Sequence, residues 1–234
     1  MRRNNSNSTT RVHRDGRAET PSVSPTPEQV ESGLTNTFWD IRQAWSTRTD
    51  WTPTPEQVER GLNDVDSDVR AAWVGRTDWT ATAEQIERGL NDPVWSVRRA
   101  WVRRSFTPSS EQIFAGVIDQ SVFVRLEWAM CHNFTPTTAQ VDIGLHDSYW
   151  SVRAAWVNRR DWTPTQEQAE RGLNDDSEDV RELWVRHGDF TPTQEQIAAG
   201  LVDPSRNVRD AWMERLKMEQ EKLLDNDHSL EISL

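Results

Sequence analysis

The chain has 234 residues, a formal charge of −11 and 35% apolar residues, yet it holds 13 Trp against a single Tyr. So polar a chain builds its core from few, large side chains at regular intervals, and its acidic balance disfavours nonspecific attraction to nucleic acid or an anionic membrane. One cysteine, Cys131, excludes an intrachain disulfide, and no stretch reaches signal-peptide or membrane-span length in apolar residues, which together point to a cytoplasmic protein.

Residues 1–22 carry Arg2, Arg3, Arg11, Arg14 and Arg17 against Asp15 and Glu19 among many Asn, Ser and Thr, the composition of a disordered basic tail. From residue 23 to residue 217 the chain repeats itself seven times. The copy WTPTPEQVERGLNDVDSDVRAAWVGRTD starts at Trp51. The others start at Val23, Trp79, Phe106, Phe134, Trp162 and Phe190, with 28 residues each except the 27 of the copy at Trp79. Three columns recur in all seven: Gly (Gly33, Gly61, Gly89, Gly116, Gly144, Gly172, Gly200), Arg (Arg42, Arg70, Arg98, Arg125, Arg153, Arg181, Arg209) and Trp three residues later (Trp45, Trp73, Trp101, Trp128, Trp156, Trp184, Trp212).

Each copy reads as two helices. Thr54-Pro55-Glu56-Gln57 combines an N-cap Thr, a Pro suited to the first helical position and a Gln that completes a capping box, so a helix runs over Pro55 to about Leu62 with Val58 and Leu62 on one face. A second start at Asp64 to Ser67 leads into a helix whose Val69, Ala72 and Trp73 share a buried stripe. Helices of about 12–18 Å are too short to be stable alone, so stacking on neighbouring copies must stabilise them. From Asn207 to about Leu224 the final helix lengthens, and residues 218–234 read as a capping helix extension with an acidic tail.

Asp92-Pro93-Val94-Trp95-Ser96-Val97-Arg98-Arg99-Ala100-Trp101, an Asp followed after four residues by Val-Arg-x-Ala, resembles HEAT-like repeats. Joined to a Thr-Pro-started helix, it resembles more closely the leucine-rich repeat variant family. The chain departs from both in carrying Trp where a smaller aliphatic residue is usual, and its unit is shorter than an ordinary HEAT unit. The resemblance covers residues 23–217 and implies a superhelical scaffold. The expected fold is all-α, a right-handed α-solenoid of seven two-helix repeats.

Most recurring residues are accounted for by stacking. Trp, four residues from a buried Val or Ile, belongs to the core, and the aromatic that opens six copies staples a loop onto the next helix. The recurring Arg could grip phosphates, but a ladder to Asp64, Asp92, Asp119, Asp147, Asp175 and Asp203 explains why both columns recur. Gly permits close helix approach or ends the first helix. Glu28, Glu56, Glu84, Glu111, Glu167 and Glu195 favour one helix terminus, and Arg48, Arg76, Arg104, Arg159 and Arg215 the other.

One column breaks the pattern. Two residues before the buried Val, copies two, six and seven carry Ser67, Glu178 and Arg206, whereas copies one, three and five carry Trp39, Trp95 and Trp150, and copy four has Val122 beside Phe123. That position is rotated about 200° from the core stripe, so Trp39, Trp95, Phe123 and Trp150, with Phe38, Val94 and Tyr149 nearby, form a candidate partner-binding ridge. Packing on the adjacent copy's loop is the competing explanation.

His13, His132, His146, His187 and His228 fall in different columns with no metal spacing, and Cys131-His132 stands at a variable position of one copy. No catalytic, cofactor-binding or metal-binding residue is therefore assigned. A DNA glycosylase of the HEAT-like class would need a basic groove. Mimicry of DNA is limited by charge density: seven copies of about 9 Å each match B-DNA with roughly 37 phosphates, against about −10 for the repeats. A single acidic edge could still compete with DNA for a basic protein. The leading expectation is a non-enzymatic, monomeric scaffold for a protein partner.

Overall fold

The computed structural model describes residues 24–231, with side-chain surroundings through residue 222. The expected basic tail at residues 1–22 lies outside the described residues. Two compact units divide the chain, before and after the boundary between Thr80 and Ala81. The first holds α1 (Pro27–Leu34), α2 (Trp39–Ser46), α3 (Pro55–Leu62) and α4 (Ser67–Gly75). The second holds α5 (Ala83–Leu90), α6 (Trp95–Arg103), α7 (Ser110–Val117), α8 (Val122–Met130), α9 (Thr138–Leu145), α10 (Trp150–Asn158), α11 (Gln166–Leu173), α12 (Glu178–Arg186), α13 (Gln194–Gly200) and α14 (Arg206–Glu231). The fold is an all-α solenoid of two-helix repeats. Within the second unit, first helices pack on first helices and second helices on second helices of the next copy.

Local chemistry sets the first helices. Thr26, Thr54, Thr82, Ser109, Thr137, Thr165 and Thr193 each accept the N–H of the Gln three residues on, whose side chain returns to the cap's own N–H. These capping boxes satisfy two otherwise orphaned donors per helix. The expected Pro55–Leu62 span is the one observed.

The second helices differ from expectation at their starts. Asp66 caps α4, but Phe38, Val94, Ser121, Tyr149 and Ser177 occupy the N-cap with no side-chain bond. The recurring Asp stands two residues earlier. Its carboxylate accepts the N–H of the cap residue, as Asp92 does from Val94 and Asp147 from Tyr149, both at 2.9 Å. It fixes the turn rather than the helix end.

Packing explains the columns. Each core Trp indole lies directly on the Gly of its own copy, Trp156 on Gly144 and Trp184 on Gly172, leaving no room for a Cβ. The Gly therefore exists for close approach. Ala72 of the expected stripe is only half-buried, whereas the residue after each Trp is buried instead: Val102, Ala129 and Val157 join one continuous core with Trp128 and Trp156. A second helix inside the stack is covered by the copy before and the copy after, so it buries two flanks.

The expected Asp–Arg ladder is present. Arg98 holds Asp119, Arg125 holds Asp147, Arg153 holds Asp175 and Arg181 holds Asp203 of the next copy, and Arg42 holds Asp64 within the first unit. Each guanidinium uses Nε and one amino group on the carboxylate, and its remaining nitrogen donates to a carbonyl of its own turn, as Arg153 does to Asp147 at 2.8 Å. These forked bonds are the geometry that Arg supplies and Lys cannot.

A second arginine column is also structural, contrary to the expectation that it served helix termini. Arg76, Arg159 and Arg215 are buried. Arg159 donates to the carbonyls of Ala129 and Cys131 in the preceding copy and of Phe134 at the start of its own, while pairing with Asp161. Arg76 and Arg215 repeat the pattern on Ser46, Arg48 and Trp51 and on Val185, His187 and Phe190. Each also lies over the aromatic that opens a copy, Arg159 at 4.7 Å from the Phe134 ring. A helix end and the loop after it, which together leave three carbonyls unmatched, need such a donor set.

Candidate functional site

The turn that each Asp–Arg pair fixes delivers the next residues at the start of a second helix. Trp39, Trp95 and Trp150 are the first residues of α2, α6 and α10, and Phe123 is the second residue of α8. All four are exposed, by 39–50%, while Trp73, Trp101, Trp128, Trp156, Trp184 and Trp212 of the core column are 0–2% exposed. The same side-chain type thus occupies two environments in one repeat.

The structure brings some of these residues together. Trp95 and Phe123 stack across adjacent copies with ring centroids 4.6 Å apart and 28° between planes. That contact belongs to the packing that competed with a ridge, yet both rings keep a large open face. Trp150 follows Tyr149, which is also exposed, and the Arg125 guanidinium stands 5.7 Å from the Tyr149 ring. Arg125 is the ladder residue that holds Asp147, so one guanidinium positions both the turn and the aromatic displayed on it. Trp39 stands with exposed Phe38 on the first unit.

Sequence reasoning missed a second exposed apolar pair in copy four. Phe114 and Ile118 are both exposed, where copies two, three and six place a Glu and an Asn such as Glu87 and Asn91. In those copies the Asn amide donates back to the Glu carbonyl at the end of the first helix, as Asn91 does to Glu87 at 2.8 Å. The signal is present in the first-helix columns, where Phe114 and Ile118 replace the Glu and Asn of copies two, three and six. A cleft of about 480 Å³ between copies three and four is lined by Glu87, Asp92, Arg98, Gln112 and Asp119. Arg98 there pairs with Asp119, and the Gln112 amide donates to Glu87. No group of His, Cys, Asp and Glu among the described residues is arranged to hold a metal ion.

A family model described as the HEAT repeat associated with sister chromatid cohesion matches residues 194–212. A solved structure described as "a leucine-rich repeat variant with a novel repetitive protein structural motif" is similar over 82% of this chain and 72% of its own, with a TM-score of 0.60 and 22% identity. The chain is a helical repeat protein. No curated protein sequence matches it. At that identity the likeness of this helical repeat protein to the solved structure is one of fold, and repeat folds serve as scaffolds whose function lies in what their surfaces display. No helix among the described residues is long and apolar enough to cross a membrane.

Proposed function

We propose that this helical repeat protein is a non-enzymatic scaffold that binds a protein partner through the aromatic ridge of Trp95, Phe123 and Trp150, with Trp39 as the corresponding residue on the first unit. The reading rests on one observation: Trp39, Trp95 and Trp150 break the polar pattern of a single column, Phe123 stands one position beside it in copy four, and all four remain 39–50% exposed. Exposed Trp and Phe held on a rigid turn lose little freedom on binding and supply the anchors that dominate interface energy. Apolar side chains of the partner would lie against the open faces of the Trp95–Phe123 stack and of Trp150 beside Tyr149.

Tagged wild type and a variant with all four residues replaced by Ser would be compared in affinity capture, with circular dichroism and thermal melts run in parallel. The expected result is a partner captured by wild type only, at equal helical content and nearly equal melting temperature. A large loss of stability in the variant would show the four residues to be core and remove the site. Capture that vanishes at high salt and is displaced by duplex DNA would favour the acidic edge instead.

A further inference from the structure

Each joint of the stack covers one flank of the copy before it, and copy seven leaves that flank open. Where another copy follows within the same unit, the residue after the core Trp is at most 2% exposed, at Ser46 in the first unit and at Val102, Ala129, Val157 and Val185 in the second. Val185 shows why, since it packs with Val208 and Trp212 of the following copy. In copy seven the same position is Met213, 53% exposed. Leu201, whose counterparts Leu34, Leu62, Val117 and Leu145 are buried, is exposed too, and α13 buries no residue at all.

The polar half of the joint is open as well. Arg209 donates to the carbonyls of Asp203 and Pro204, as each ladder Arg does to its own turn. In Arg42, Arg98, Arg125, Arg153 and Arg181 the other edge of the guanidinium holds an Asp. For Arg209 no carboxylate stands there among the described residues. Five joints of the same molecule therefore show what this edge takes. The occupant is an Asp in a turn, five residues ahead of a branched aliphatic residue, as Asp203 precedes Val208.

We propose that the copy-seven face is a docking surface for a partner helix pair that presents such an Asp to Arg209 and an aliphatic side chain to Met213 and Leu201. The lengthened α14 refines the description. In copies one, four and six the second helix stops and its last carbonyls receive the buried Arg of the copy that follows. Here α14 runs on to Glu231, so those carbonyls stay within the helix and the partner needs no counterpart of Arg159 or Arg215. A second copy of this chain offers most of the pattern and lacks its charge: Asn36 occupies the Asp position, with Ile41, 39% exposed, five residues on. An amide cannot give the two negative oxygens that the guanidinium fork grips, so Asn36 disfavours self-stacking.

That difference supplies the test, because Asn36→Asp turns the chain into its own surrogate partner. Sedimentation velocity would be measured over a concentration series reaching about 0.5 mM, suited to an interface smaller than about 1,200 Å². The expected results are a monomeric wild type and a concentration-dependent association of Asn36→Asp. Adding Arg209→Gln should weaken that association about tenfold or more, and adding Met213→Asp should abolish it. Both added changes lie on exposed or half-exposed positions, and circular dichroism would verify folding. An Asn36→Asp protein that stays monomeric would overturn the proposal. Association of wild type with the same dependence on Arg209 and Met213 would overturn the assignment to a distinct partner, making the occupant a second copy.

Discussion

Arg153 grips Asp175 of the next copy through two parallel hydrogen bonds of 2.7 and 2.6 Å, and its third nitrogen holds the Asp147 carbonyl of its own turn. One side chain thus ties the turn that displays Tyr149 and Trp150 to the copy that follows. Arg153→Lys keeps the charge but loses the fork, and should cost about 1–2 kcal/mol. A double-mutant cycle of Arg153→Lys with Asp175→Asn, read by urea denaturation, should give strongly non-additive losses.

The ladder also fixes an acid limit. Burial would raise the Asp64 and Asp203 carboxyls, but hydrogen bonds from Arg42 and Arg181 and from the N–H groups of Asp66 and Ser205 outweigh it and hold both below the ordinary 3.8. A carboxyl whose pKa is depressed by folding stabilises the native state above its unfolded value and loses that contribution as pH falls through the folded one. Melting temperature should therefore drop steeply below about pH 4, and Asp64→Asn should flatten that part of the curve.

His187 occupies the place of the buried Arg in copy six. It is 0% exposed, and neither ring nitrogen has a hydrogen-bond partner. Burial first, then the charge of Arg160, pushes its pKa below 6.5, with Arg215 acting the same way and Asp189 and the Arg159 carbonyl opposing. The neutral ring is the native form, so this contribution is complete above pH 6.5 and is lost as pH falls below it. His187→Arg should restore the carbonyl clamp, raise stability by about 1–2 kcal/mol and remove this group's part of the decline in melting temperature as pH falls below 6.5.

The indole of Trp156 covers Gly144 with no space for a methyl group. Gly144→Ala is ordinarily favourable in a helix, by up to about 1 kcal/mol. Here the large aromatic must move, and the expected result is a net loss of about 1–3 kcal/mol in denaturant titration. At Gly75, where nothing stands within 4 Å, the same change should be neutral or stabilising.

Much of the fold was legible because each copy carries its own local signals. Thr54, Pro55 and Gln57 mark a helix start regardless of what packs on it, and the coincidence of the Arg and Asp columns predicted their pairing. The buried Arg159 was not legible in the same way. Its Arg-x-Asp spacing was visible, but its partners are main-chain carbonyls, which leave no trace in side-chain columns. The exposure of Trp39, Trp95 and Trp150 was legible as a disagreement among copies. The Trp95–Phe123 stack was not, because the two positions are one residue out of register between copies.

By itself the sequence determined the two-helix repeat, its caps and the identity of the core Trp, since those follow from short-range geometry repeated seven times. Only the tertiary structure decided which charged residues are buried, where His187 is stranded and that Met213 and Arg209 face outward. Those depend on what the adjoining copy supplies, and a residue's own column cannot record the presence or absence of its neighbour.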